Sequence, residues 1–221
     1  MTHTNHRTGP ASSFQDDYVV LVMPAKGHND TTKAPEKLKR TFDILMLYEP
    51  VNAGGINAGN LISNTPAQIR ATIGPNTPMI HGVYTDRGTV RQVVQAIKEA
   101  DQGLSVVVTG LIDEVADMAN SVGLSVHSTA YALGIQGNQA LLPPPDILEI
   151  TSMCGHGLIP VDLVKNLITQ ISLGRITSLQ AARALGVHCV CGVFNPVKAV
   201  RLFEAAVSNK KGDYSDESAV F

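Results

Sequence analysis

Thr89-Val-Arg-Gln-Val-Val-Gln-Ala-Ile-Lys-Glu-Ala-Asp101, then Leu104-Ser-Val-Val-Val-Thr109, then Ile112 to Val122 is the stretch that decides the fold class. Val90, Val93, Val94 and Ile97 fall at the i, i+3, i+4, i+7 spacing of one helical face, and Gly103 supplies a stop. The run from Leu104 to Thr109 is too short and too β-branched for a helix and reads as a strand. Val115, Ala116, Ala119 and Val122 then restore the helical period up to Gly123. Helix, strand, helix in close succession is the rhythm of an α/β protein.

Working outward, Tyr18–Met23, Phe42–Tyr48, Met79–Tyr84 and Leu124–Thr129 are further short apolar runs with strand character. A Lys/Glu-rich helical stretch (36–40) precedes Phe42, and a short helix starts near Pro66 with Ser63 or Thr65 as its cap. This alternation predicts an open, mostly parallel, doubly wound sheet of about five strands, with ligands beyond the strands' carboxyl ends. Pro143-Pro144-Pro145 ends the rhythm. Beyond it the sequence predicts a small C-terminal helical appendage, with helices over 159–173, 178–187 and 196–207. Gly174 closes the first, Ser178 caps the second, and Asn195-Pro196 opens the third. The expected division is a disordered lead-in (1–17), an α/β domain (18–142), the cysteine-containing appendage packed on it (143–207) and a flexible tail (208–221).

Of 221 residues, 44% are hydrophobic and only 16% charged, so a sizeable core is assured and the thinly charged surface points to a homo-oligomer. A net charge of −2 gives no basic footprint for nucleic acid or an anionic membrane. No apolar run is long enough to span a bilayer, and Met1 to Asp17 lacks the layout of a signal peptide. Three cysteines, an odd number, argue for free thiols in a reducing compartment, and the expected location is cytoplasmic.

Those cysteines carry the strongest chemical signal: Met153-Cys154-Gly155-His156-Gly157 and His188-Cys189-Val190-Cys191-Gly192. A helix running out and a second running back would return Cys189 and Cys191 to Cys154. Glycines beside the cysteines would let the backbone approach and aim N–H groups at sulfur. Thiolates select soft or borderline ions, so Cys154, Cys189 and Cys191 are the expected metal ligands. His156 or His188 would be a fourth ligand or proton donor. The leading expectation is a 4Fe–4S cluster with one iron left open as a Lewis acid, in a lyase or hydratase acting on a small anionic substrate. Two alternatives stand beside it: a structural zinc in a small-ligand-binding or assembly protein, and a thiol-dependent hydrolase or transferase with no metal.

At the expected strand ends, Lys26, His28 and Arg87 are candidate anion binders, and Asp86, with Glu49 behind it, is a candidate acid–base group. The Asn/Gly-rich stretch from Asn52 to Asn60, with Gly54, Gly55 and Asn57, is a candidate ligand loop, although it is neither a Walker A loop nor a dinucleotide fingerprint. His81 and His127 fall within strand runs and read as core histidines. Thr177 to Gly186 resembles the opening of a helix-turn-helix. The segment after it, His188 to Phe194, has no arginine or lysine with which to read DNA.

Overall fold

The computed structural model describes residues 3–217, with side chains from 4 to 209. Its centre is a five-stranded sheet formed by β1 (Tyr18–Met23), β2 (Asn52–Gly55), β3 (Gly59–Asn60), β4 (Ile80–Tyr84) and β5 (Ser105–Thr109), in the order β3-β2-β4-β1-β5. Every neighbouring pair is antiparallel, which overturns the parallel doubly wound sheet. Two helical crossovers lie within the observed sheet. Because β1 and β2 both run against β4, they are parallel to each other, linked through α1 (Ala34–Leu47). By the same logic β4 and β5 are parallel, linked through α3 (Arg87–Ala100). In each case another strand lies between the two. This is the split β-α-β arrangement, and sequence alternation alone does not distinguish it from a doubly wound sheet.

Two of the expected strands are not strands. Phe42–Tyr48 lies mostly inside α1, where Leu38, Phe42 and Leu45 form a buried face while Leu47 is 77% exposed. Leu124–Thr129 has no regular structure and is exposed throughout. In their place the Asn/Gly stretch supplies β2 and β3, which pair as a tight hairpin.

On one face of the sheet Tyr18, Val20, Val22, Ile80 and Tyr84 pack against α1, α3 and, at the margin, α2 (Pro66–Thr72) and α4 (Ile112–Ser121). On the other, Val19 and Val83 enter a second core. It is formed by α5 (Pro145–Ser152), α6 (Val161–Ser172), α7 (Ser178–Gly186) and α8 (Pro196–Glu217). The C-terminal helices are thus the layer that covers the second face of the sheet, as burial of a two-faced sheet requires. α5 was not expected from sequence, Thr177 rather than Ser178 caps α7, and α8 continues into the stretch expected to be a flexible tail. Residues 218–221 of that tail lie outside the described residues. The lead-in, too, is built into the fold: it forms two 3-10 turns and buries Thr4, Arg7 and Asp17. No described helix is long and apolar enough to cross a membrane.

Candidate functional site

The three cysteines meet. α6 and α7 run out and back, and the loop after α7 returns Cys189 and Cys191 to the turn that follows α5, where Cys154 lies. The Sγ atoms of Cys189 and Cys191 are 3.9 Å apart, and Cys191 Sγ is 3.7 Å from Nδ1 of His156. Cys154 lies beside Cys189 at the end of the row, in the same buried cluster. All three thiols are buried, while His156 is exposed at the rim. His188 is exposed although both neighbouring cysteines are buried. Among the described residues no group of three or more His, Cys, Asp or Glu is set as a ready metal site. The four donors form a chain of neighbours, from His156 through Cys191 and Cys189 to Cys154.

The thiols differ in acidity along this chain. Cys191 is lowered, first by the hydrogen bond from Cys189 and further by the Val193 N–H, against the opposing effect of burial. For Cys189 the bond with Cys154 is the largest influence and acts downward; its bond to Cys191, burial and the Cys191 charge outweigh it, leaving the thiol pushed up to about 11. Cys154 is raised well above the ordinary thiol range by its bond with Cys189 and by burial. Backbone N–H groups of Leu158 and His156 act on Cys154, and that of Phe194 on Cys189. The loops around the thiols thus carry N–H groups near all three sulfurs.

The β2–β3 hairpin holds the loop in place. Asn60 donates from Nδ2 to the carbonyls of Cys189 (2.8 Å) and Gly186 (3.3 Å), and its Oδ1 accepts from the N–H groups of Ile62 and Ser63. Asn52 donates to the Phe194 carbonyl at 2.9 Å and accepts from Ala53 and Leu61. Gly192 lies so close to this hairpin that a Cβ would stand 2.7 Å from the Ala53 carbonyl carbon, and its φ of +81° is left-handed. The expected ligand loop is therefore a clamp. Asn52, Gly54 and Gly55 are buried in strand backbone, and Asn57 spends its amide on the Asn76 carbonyl.

Behind the loop lies a buried ionic cluster that the sequence did not reveal. Asp17 takes Arg7 at 2.6 Å, Lys198 at 3.3 Å and the Asn195 amide at 3.1 Å. Lys198 also reaches Glu149 at 3.5 Å and lies over the Phe14 ring, while Arg7 donates to the Val193 carbonyl. Two cations and two anions thus share one buried site and tie the lead-in, α5 and α8 to the segment after Cys191. Burial alone would raise Asp17; the Arg7 and Lys198 charges and the Asn195 amide more than offset it and hold the carboxyl below its ordinary value. Asn195 is also the cap of α8 that its sequence context predicts, accepting from the N–H groups of Val197 and Lys198. The one legible trace of the cluster was Lys198, next to Ala199 on the apolar side of α8.

The other sequence candidates do not join the cysteines. Asp86 is the N-cap of α3, accepting from Thr89 N–H, and that bond lowers its carboxyl. Arg87 pairs with Asp117 at the surface. Both stand at the start of α3, whose packing face lies on the side of the sheet away from the thiols. Lys26 and His28 are exposed in the turn after β1, which Asn29 and Asp30 fold by accepting from Ala25 and Gly27 N–H. What does adjoin the site is a cavity of about 290 Å³ walled by His6, Thr151, Ser152, Cys154, Gly155 and Gly157, among others.

Set against protein-family models, curated proteins and solved structures, the chain matches none.

Proposed function

We propose that this chain is a metal-dependent enzyme in which Cys154, Cys189, Cys191 and His156 hold the metal and a small molecule is taken up in the cavity beside Cys154. The spacing of the donors supports this reading. Zinc–sulfur and zinc–nitrogen bonds of about 2.3 and 2.0 Å imply tetrahedral edges of about 3.8 Å between sulfurs and about 3.6 Å from sulfur to nitrogen. The two contacts present are 3.9 and 3.7 Å. Closing the set would require both ends of the chain of neighbours, Cys154 and His156, to turn in about their side-chain bonds toward Cys189 and Cys191.

The residues divide the work. The buried cysteines hold the ion, with Cys191, the most acidic of them, supplying the first thiolate. His156, exposed at the rim, is the donor best placed to yield its position to a substrate or to move a proton. His6 faces the same cavity from the lead-in and can pair with an anionic group. When bound, the ion would polarise an oxygen or sulfur of the substrate, which suits elimination or hydration. The thiol-nucleophile alternative has weaker support. The thiol most ready to ionise is fully buried, whereas the one on the cavity wall, Cys154, is pushed up the most.

The cluster expected from sequence stays as a second reading, favoured by the N–H donors on all three sulfurs. It requires Cys189 and Cys191 to swing apart, since each would bind a different iron. Metal and acid-labile sulfide analysis of anaerobically purified protein decides between them. About one ion per chain without sulfide, lost in Cys191→Ala, is the expected result. About four irons and four sulfides per chain would install the cluster instead. Three thiols free in the folded, metal-loaded preparation would end both readings.

A further inference from the structure

Between α4 and α5 the chain makes an arm, residues 123–142, that contains no Asp, Glu, Lys or Arg and in which every residue is exposed. Tyr131 is 65% exposed, Leu133 89% and Leu141 82%. Such a composition is the reverse of that of a solvated linker, which is charged and poor in large apolar side chains. From Ser125 to Leu142 the arm's hydrogen bonds stay within it. It therefore touches water with a surface suited to burial.

The same chain carries a matching vacancy in its sheet. β5 is an edge strand, paired to β1 on one side only, and Ser105 to Thr109 is also uncharged. Val106 and Val107, which point to opposite faces, are 38% and 39% exposed. An open, uncharged, apolar edge is a template for another strand, and edges that must stay single usually carry charge, proline or a bulge. Leu124 and Val126 alternate with polar residues, and Tyr131, Leu133 and Ile135 alternate with small ones, the pattern of an extended strand.

We infer that the arm is the dimerisation element: in a two-fold dimer each arm lies along β5 of the other copy and continues its sheet. Donor and acceptor surfaces are both uncharged and both supplied by this one chain. A two-fold axis then satisfies each surface with the other, every contact being made twice. Main-chain pairing at a sheet edge supplies the affinity, and the alternating side chains set the register.

Light scattering coupled to size exclusion at micromolar concentration tests this, with Tyr131→Asp/Leu133→Asp, Val107→Lys and, as control, Leu179→Asp, an exposed position on α7. The expected result is a dimer for the native chain and the control. Both the arm variant and Val107→Lys should fall to half that mass, with unchanged circular dichroism. A monomeric native chain overturns the inference. So does a dimer that survives the arm variant, or one that the arm variant breaks and Val107→Lys does not.

Discussion

Against α1 and α3 the sheet presents tyrosines and aliphatic side chains; against α5 to α8 the same strands meet three thiols and a shell of buried polar groups. All four buried charged residues among those described, Arg7, Asp17, Glu149 and Lys198, lie on this second side. An apolar face needs only volume and shape. A face that buries ions needs every one of them paired, because a single lone charge left in place costs more than the pair ever contributed. Both faces bury an apolar core; the second also fixes the position of one loop, Gly186 to Asn195, and it does so with directional bonds. Breaking the two faces separately tests this contrast.

The largest effect should come from Asp17→Asn, which leaves Arg7 and Lys198 facing each other without their shared carboxylate. A loss of about 3–5 kcal/mol is expected in urea unfolding. Phe42→Ala on the apolar face should cost a similar amount, about 3–5 kcal/mol, through its cavity. The two should part in a second measurement. In metal-free protein Asp17→Asn should open Cys189 and Cys191 to a thiol reagent well before global unfolding, while Phe42→Ala should not. The pH dependence follows from the sign of the shift. The folded-state pKa of Asp17 lies below its unfolded value, so its contribution is present above about pH 4 and is lost as pH falls through the folded value. Asp17→Asn should reduce that acid limb. Equal thiol exposure in both variants would show that the ionic cluster does not position the loop.

The same contrast explains what could be read from sequence. β1, β4 and β5 were legible as short, β-branched apolar runs and α3 by its helical period, and the approach of Cys189 and Cys191 to the Cys154 turn followed from an out-and-back helix pair. The order of the strands was not legible. A crossover fixes that β1 and β2 are parallel, but whether β4 lies between them depends on pairing across tens of residues, which leaves no local mark. Phe42 to Tyr48 misled because seven apolar-rich residues satisfy either period, and the helical start at Ala34 lay in a polar stretch. Asn52 to Asn60 looked like a ligand loop because the residues that cradle an anion also suit a tight hairpin with buried amide pins. The ionic cluster brings together positions 7, 17, 149 and 198, and no window of sequence contains them.

An intermediate effect is expected from Gly192→Ala. The residue is left-handed, and a Cβ would press on the Ala53 carbonyl in β2. Left-handed strain alone costs about 1–2 kcal/mol, and the contact adds to it. Gly157→Ala shares the left-handed φ (+67°) but meets open space, so it should show the strain alone. The difference between the two measures how tightly the hairpin clamps the cysteine loop. If the two variants unfold at the same denaturant concentration, the loop is free to shift at Gly192, and only the Asn52 and Asn60 amides tether it to the hairpin.

The smallest effects compare two like helix starts on the two sides of the sheet. Thr65 opens α2 and Thr177 opens α7, each in a capping box with a glutamine three residues on. Thr65→Ala and Thr177→Ala should each cost about 1 kcal/mol, since the lost bond is the same. Their consequences should differ. α7 delivers Leu185 and Gly186 to the turn that carries Cys189, and Asn60 grips that turn at the Gly186 carbonyl. Fraying α7 should therefore raise thiol reactivity in metal-free protein and weaken metal retention, with α2 fraying neutral in both assays. Should the Thr65 variant release metal as readily as the Thr177 variant, the site would be responding to overall stability, and directional support from the second face would not be what holds it.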